Sequence, residues 1–266
     1  MLKSIGARSI SPIAQTGLTA KGIVYCIMGL LAFMSAFELN GQRNEDADKK
    51  GAFEFIQKQT GGQIMLGIIA VGLLCYCSWR FYETFRKKTA DGKEKTPAKK
   101  FRYLFSGLIY LSLAFYAGKM LFQYKKNNQD STQQQVAQLL EKPFGQWLVA
   151  GFGLIIAAVG VYQAYYGLSE KYKKHVQKLN LHAKNTRYLL ASGKIGYVSR
   201  GIVWLIISWL LLKASIHANS KEAGDTGKAF GFLESSPFGS YLLAALGLGL
   251  VCYGFFNFIR ARYEKF

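Results

Sequence analysis

The chain has 266 residues, 50% of them hydrophobic and 18% charged, with 34 Lys and Arg against 15 Asp and Glu for a formal charge of +19. Its four cysteines fall inside apolar stretches and its three histidines, His175, His182 and His217, are scattered, so no disulfide framework, metal-ligand spacing or acid–base constellation emerges. Length alone permits a soluble domain, and the arrangement of the apolar residues therefore decides the class.

Those residues gather in six blocks, from Gly22 to Phe37, Ile64 to Trp79, Tyr103 to Phe122, Trp147 to Leu168, Ile195 to Ile216 and Phe238 to Phe258. A helix needs roughly 20 residues to cross a hydrocarbon layer about 30 Å thick. Several blocks reach that length, and the shorter first two are completed by the weakly polar flanks Ile13 to Lys21 and Thr60 to Gln63. The long lead before the first block lacks a clear cleavage pattern, so that block is expected to remain as a membrane helix. Gly145 to Val159 carries no charge at all, where an amphipathic helix of a soluble bundle would show a polar stripe. The reading is an all-α membrane protein with six transmembrane helices.

Between the two blocks of each pair lies a short mixed segment: Ala52 to Lys58, Val136 to Lys142 and Lys228 to Glu234. These are expected to form external interfacial helical turns that cap the bundle.

The charge is distributed by connection. Nine Lys and Arg lie in 80–102 and eight in 171–200, with three in each terminal segment, whereas the first, third and fifth connections hold four, three and two together with ten of the fifteen acidic residues. The positive-inside bias places both termini and the second and fourth connections in the cytoplasm, in agreement with an even number of crossings. Basic loops of this kind favour anionic lipid headgroups as partners, and no glycine-rich phosphate motif or nucleic-acid-binding pattern accompanies them.

The blocks also repeat. Gly17 to Tyr25 recurs as Gly196 to Trp204 and, more weakly, as Arg102 to Tyr110; in each, a glycine (Gly22, Gly107, Gly201) is followed three residues later by an aromatic (Tyr25, Tyr110, Trp204). Second helices are introduced by Gly61-Gly62, Pro143-Phe144-Gly145 and Pro237-Phe238-Gly239, an alignment that superimposes Cys77, Gly160 and Gly254, then Arg80, Gln163 and Asn257. Small residues are expected at helix contacts and the aromatics in the adjoining layer. Two-helix units enter the membrane in the same direction, so three hairpin repeats, 1–95, 96–180 and 181–266, form one membrane domain around an approximate axis along the membrane normal.

Polar residues within the blocks are the candidates for a role beyond packing. Lys119 and Lys213 align between repeats and either snorkel to the outer surface or face an anion-binding space. Lys21 and Arg200, with Ser106 between them in the alignment, are placed near cytoplasmic helix ends, suited to phosphate headgroups. Arg80, Gln163 and Asn257 make a second equivalent set, suited to interhelical bonding or a polar pathway.

These features resemble the bacterial membrane-protein family called domain of unknown function 1206, whose repeated unit is a pair of membrane helices. The likeness rests on Gly17 to Tyr25, Gly196 to Trp204, the degenerate Arg102 to Tyr110, and the second helices leading to Tyr76, Tyr162 and Tyr253, with units near residues 8–89, 97–173 and 187–263. The family implies no reaction and no cofactor. The expectation is a non-catalytic inner-membrane protein with a structural, regulatory or interaction role, partnered by lipids and by a membrane protein. The alternative is a small-solute or ion transporter or channel, anion-selective through Lys119 and Lys213.

Overall fold

The computed structural model describes residues 2–39, 47–86, 96–122, 131–173 and 183–263. Among these are nine α-helices and no strand: α1 Leu2–Ala36, α2 Lys49–Gln57, α3 Gly62–Phe85, α4 Pro97–Phe122, α5 Ser131–Leu140, α6 Gly145–Leu168, α7 Ala183–Ile216, α8 Thr226–Glu234 and α9 Gly239–Tyr263, with a 3₁₀ turn at Ser220–Glu222. Six (α1, α3, α4, α6, α7 and α9) are long and apolar enough to cross a membrane. The chain is a multi-pass membrane protein by that measure.

The first crossing begins well before its apolar block, at Pro12. The lead from Ile13 to Lys21 is helical because Ala14 and Leu18, one turn apart, are completely buried against the rest of the bundle. What hydropathy shows as a flank is therefore core.

The three short helices follow the repeat. Asp48 caps α2 by accepting from the Gly51 amide at 2.7 Å, and Asp225 caps α8 by accepting from the Gly227 amide at 3.0 Å. Each presents an Ala-Phe pair to the bundle, Ala52-Phe53 and Ala229-Phe230, with all four side chains fully buried. The following long helix starts after a left-handed residue in every repeat: Gly61, Phe144 and Phe238, with φ of 75°, 64° and 60°. Glycine adopts this conformation freely, whereas phenylalanine does so at a cost. The next residue is Gly62, Gly145 or Gly239, where any side chain would run into a carbonyl of the preceding short helix, that of Ile56, Leu139 or Glu234. The glycine motif thus makes the hinge between cap and crossing.

The long helices associate more tightly between repeats than within them. The second helix of each repeat packs along the first helix of the next, as α3 on α4, α6 on α7, and α9 back on α1, while α1–α3 and α7–α9 pack less extensively. Gly22 and Gly254 back onto each other's carbonyls across α1–α9, and Gly201 and Gly160 do the same across α7–α6. Backbones can approach this closely only where Cβ is absent. At the third interface Cys77 replaces glycine in the alignment, and the marker Gly107 has its nearest neighbours at an ordinary 3.5 Å.

Repeat two departs from the other two, for α4 and α6 do not form a packed pair. Gly17 and Gly196 each seat the backbone of a second-helix tyrosine, Tyr76 and Tyr253, at 2.6 and 2.7 Å from where a Cβ would stand. The aligned residue in repeat two is Arg102, too large for such a seat. Its guanidinium instead reaches across the seam to the Tyr162 hydroxyl at 2.7 Å. The ring of six helices is consequently tight on five sides and bridged by a long side chain on the sixth.

Candidate functional site

The interior polar site is built from the repeated lysine or arginine of the first helices and the tyrosines around it. Lys21 on α1 is 4% exposed, and its ammonium lies 3.2 Å from the Tyr76 hydroxyl of α3. It also sits 5.0 to 6.0 Å from the ring centroids of Tyr25, Tyr76, Tyr110 and Tyr253, four rings drawn from α1, α3, α4 and α9. Arg200 on α7 repeats the pattern: its guanidinium bonds the Tyr253 hydroxyl and lies 4.4 Å from that ring's centroid and 5.0 Å from that of Tyr25. All four tyrosines are buried and interlock edge to face, with Tyr25–Tyr253 at 4.9 Å and Tyr76–Tyr110 at 4.5 Å between centroids. The Tyr110 hydroxyl donates to that of Tyr25 at 3.5 Å.

A third cation approaches from the cap. Lys49, the first residue of α2, places its ammonium 6.0 Å from the Tyr25 ring and 5.8 Å from Trp204. Among the described residues none of Lys21, Lys49 and Arg200 forms an ion pair with a carboxylate. A buried cation without a counter-charge costs several kcal/mol, and desolvated cation–ring contacts return only about 2 kcal/mol each. The site is held together by aromatic faces and hydroxyls and remains strongly electropositive.

Arg80 and Asn257 each turn back to the tyrosine four residues earlier. Arg80 donates to the Tyr76 hydroxyl from Nε at 2.8 Å and Nη2 at 2.6 Å, with its guanidinium carbon 4.3 Å from the Trp79 ring centroid. Asn257 is fully buried and gives Nδ2–H to the Tyr253 carbonyl at 2.6 Å. The Asn257 Oδ1 and Gln163 Oε1 atoms are buried without a hydrogen-bond partner. Among the described residues no hydrogen bond joins Arg80, Gln163 and Asn257 to one another. Lys119 and Lys213 lie at the surface, the first 5.0 Å from the Phe115 ring centroid and the second 3.8 Å from Glu222. The packing set stands at helix contacts: Gly22, Gly160, Gly201 and Gly254 at backbone crossings, Gly107 against α3, Tyr25 and Tyr110 in the cluster, and Trp204 against Lys49.

Sequence reasoning overlooked Lys49 and the two acidic caps. Asp48 and Asp225, equivalent residues of repeats one and three, meet within hydrogen-bonding reach. Burial and the neighbouring Asp225 carboxyl push Asp48 up to about 7, against the pull of the Gly51 amide and Lys50. The contact ties the cap of repeat one to that of repeat three. Alignment of the two Asp-Lys and Asp-Thr steps just before α2 and α8 was the available signal.

The family described as Domain of Unknown Function (DUF1206) matches the chain three times, over residues 16–87, 101–170 and 195–264. The chain is also 26% identical over 258 residues to "Uncharacterized protein YxxB" of Bacillus subtilis (strain 168), spanning 96% of this chain and 91% of that relative. No solved structure matches. With three successive matches covering most of its length, the chain belongs to the DUF1206 family.

Proposed function

We propose that the protein is a non-catalytic component of the bacterial inner membrane, with both termini cytoplasmic, acting through contacts with lipids and with another membrane protein. The observation that carries this reading is that both lysines expected to line a pathway, Lys119 and Lys213, stand outside a closely packed bundle. The interhelical space is filled by wholly buried side chains such as Leu18, Leu66, Leu73, Tyr76, Leu250 and Tyr253, whereas Lys119 and Lys213 stand outside. Outward apolar residues on the crossings, among them Ile68, Leu154, Trp209 and Phe255, suit acyl chains or a partner helix. The basic second and fourth connections suit anionic headgroups and supply the orientation.

A second reading, passage of a small anion, draws on one specific observation: the buried Lys21, Lys49 and Arg200 cluster between the repeats. Reconstitution of purified protein in liposomes separates the two. The first reading expects no flux of halides, phosphate or small metabolites above that of protein-free vesicles. Sustained anion flux lost in Arg200→Gln would establish the second in its place.

A further inference from the structure

Beside the tyrosine cluster lies a cavity of about 20 Å³, lined by Tyr25, Lys49, Arg200, Trp204 and Thr226 together with apolar residues of α1, α7 and α9. We propose that this cavity is a binding site for one small monovalent anion of halide size. The inference goes beyond the interaction role proposed above and does not depend on whether anything crosses the membrane.

Two cations from different repeats line the cavity. Arg200 comes from the first crossing of repeat three and Lys49 from the cap of repeat one. Lys21, a third cation, lies 6.0 Å from the centroid of the Tyr25 ring. Positive charge buried this densely demands a compensating negative charge. Among the described residues none is supplied, because none of the three has a carboxylate partner. Asp48 and Asp225 immediately precede Lys49 and Thr226 in sequence, yet neither lines the cavity. They engage each other, with their capping amides.

The polar lining consists of groups able to donate. Arg200 Nε–H is buried and has no acceptor, the outcome expected where an anion is the missing partner. The Lys49 ammonium and the hydroxyls of Tyr25 and Thr226 offer further hydrogens. Volume then selects among anions. About 20 Å³ accommodates one water-sized body. A chloride or bromide ion meets that limit with slight adjustment of side chains, whereas a tetrahedral oxyanion such as sulfate or phosphate would have to part α7 from α9. Such a site would hold repeats one and three together by charge, at the same two repeats that the acidic caps join.

Trp204 borders the cavity and supplies a reporter. In full-length protein in nanodiscs, with Trp79, Trp147 and Trp209 replaced by phenylalanine, bromide, a heavy-atom quencher of indole, is titrated at constant ionic strength against gluconate. The expected result is saturable quenching of Trp204 that chloride reverses and sulfate does not. Both Arg200→Gln and Lys49→Gln should weaken the apparent affinity about tenfold or more, the loss of one charged hydrogen bond. Because Lys49 is only partly buried, its variant keeps the test decisive if Arg200→Gln does not fold. Quenching that rises linearly without saturation, that is unchanged in Lys49→Gln, or that sulfate reverses as well as chloride does would overturn the proposal.

Discussion

The ammonium of Lys21 rests 3.2 Å from the hydroxyl of Tyr76, across the α1–α3 contact, and Arg80 donates to that same oxygen. One phenol therefore serves two cations, one of them almost wholly buried. Tyr76→Phe removes the shared acceptor while keeping the ring, and should cost about 1–3 kcal/mol in a denaturant titration. Lys21→Met, which removes a buried charge and keeps the volume, should be neutral or stabilising. The double variant should lose less than the sum of the two, since the phenol then serves Arg80 alone. Strict additivity would show that the contact carries no coupling.

Glycine positions should rank by what their missing Cβ would meet. Ala at Gly17 or Gly196 collides with backbone of Tyr76 or Tyr253, which cannot yield, and should cost about 1–3 kcal/mol. Gly107→Ala meets only contacts at 3.5 Å and beyond and should be tolerated. At Gly118 nothing lies within 4 Å, so alanine should be neutral or stabilise by up to about 1 kcal/mol through helix propensity. Thermal unfolding in one detergent, across the four variants, checks the order.

The acidic pair predicts a pH dependence with a definite sign. An unfolded Asp48 titrates near 4, whereas the folded residue is pushed to about 7 by burial and Asp225, with Lys50 and Tyr116 also nearby. Between those values the folded chain keeps a proton that the unfolded chain has released, so this group's contribution to stability falls as pH rises from about 4 to about 7 and is flat above. Asp48→Asn retains the helix cap and cannot ionise. It should abolish this part of the slope and stabilise the protein at pH 8 by on the order of 2 kcal/mol. A variant whose unfolding midpoint keeps the parental pH profile would refute the raised Asp48 carboxyl.

Arg102 bridges the α4–α6 seam through the Tyr162 hydroxyl. Its replacement by alanine should leave α1–α9 packing intact while loosening the Arg102 end of α4. Hydrogen exchange should therefore accelerate in 100–108 and 160–167 and remain unchanged in 22–32 and 244–256. Equal acceleration in all four segments would mean that the bridge supports the whole bundle.

The crossings, the hinges before them and the packing glycines were legible because each leaves a local trace: a long apolar block, a Pro-Phe-Gly hinge, or Gly22 and Gly254 at fixed places in a repeat. Lys21 was misread in depth, for hydropathy averages it with Gln15, Thr16 and Thr19 and takes the stretch for a flank. The burial of Ala14, Leu18 and Lys21 of α1 against the neighbouring helices shows otherwise. The Asp48–Asp225 and Lys49–Tyr25 contacts join residues from different crossings or repeats, and no local spacing encodes them. Arg102 was visible as a departure from Gly17 and Gly196, but its consequence emerged only once those glycines were seen to seat tyrosine backbones. The relative order of the helices followed from neither hydropathy nor charge.

The central claim is that six helices cross the membrane in three like-oriented pairs. In a background lacking Cys26, Cys75, Cys77 and Cys252, single cysteines at Asp46, Gly92, Lys178 and Lys221 can be challenged in intact cells with a membrane-impermeant thiol reagent. The account predicts labelling at 46 and 221 and protection at 92 and 178 until the membrane is breached. Labelling at 92 and 178 with protection at 46 and 221 would invert the orientation, and labelling at only one of 46 and 221 would contradict the three-pair arrangement itself.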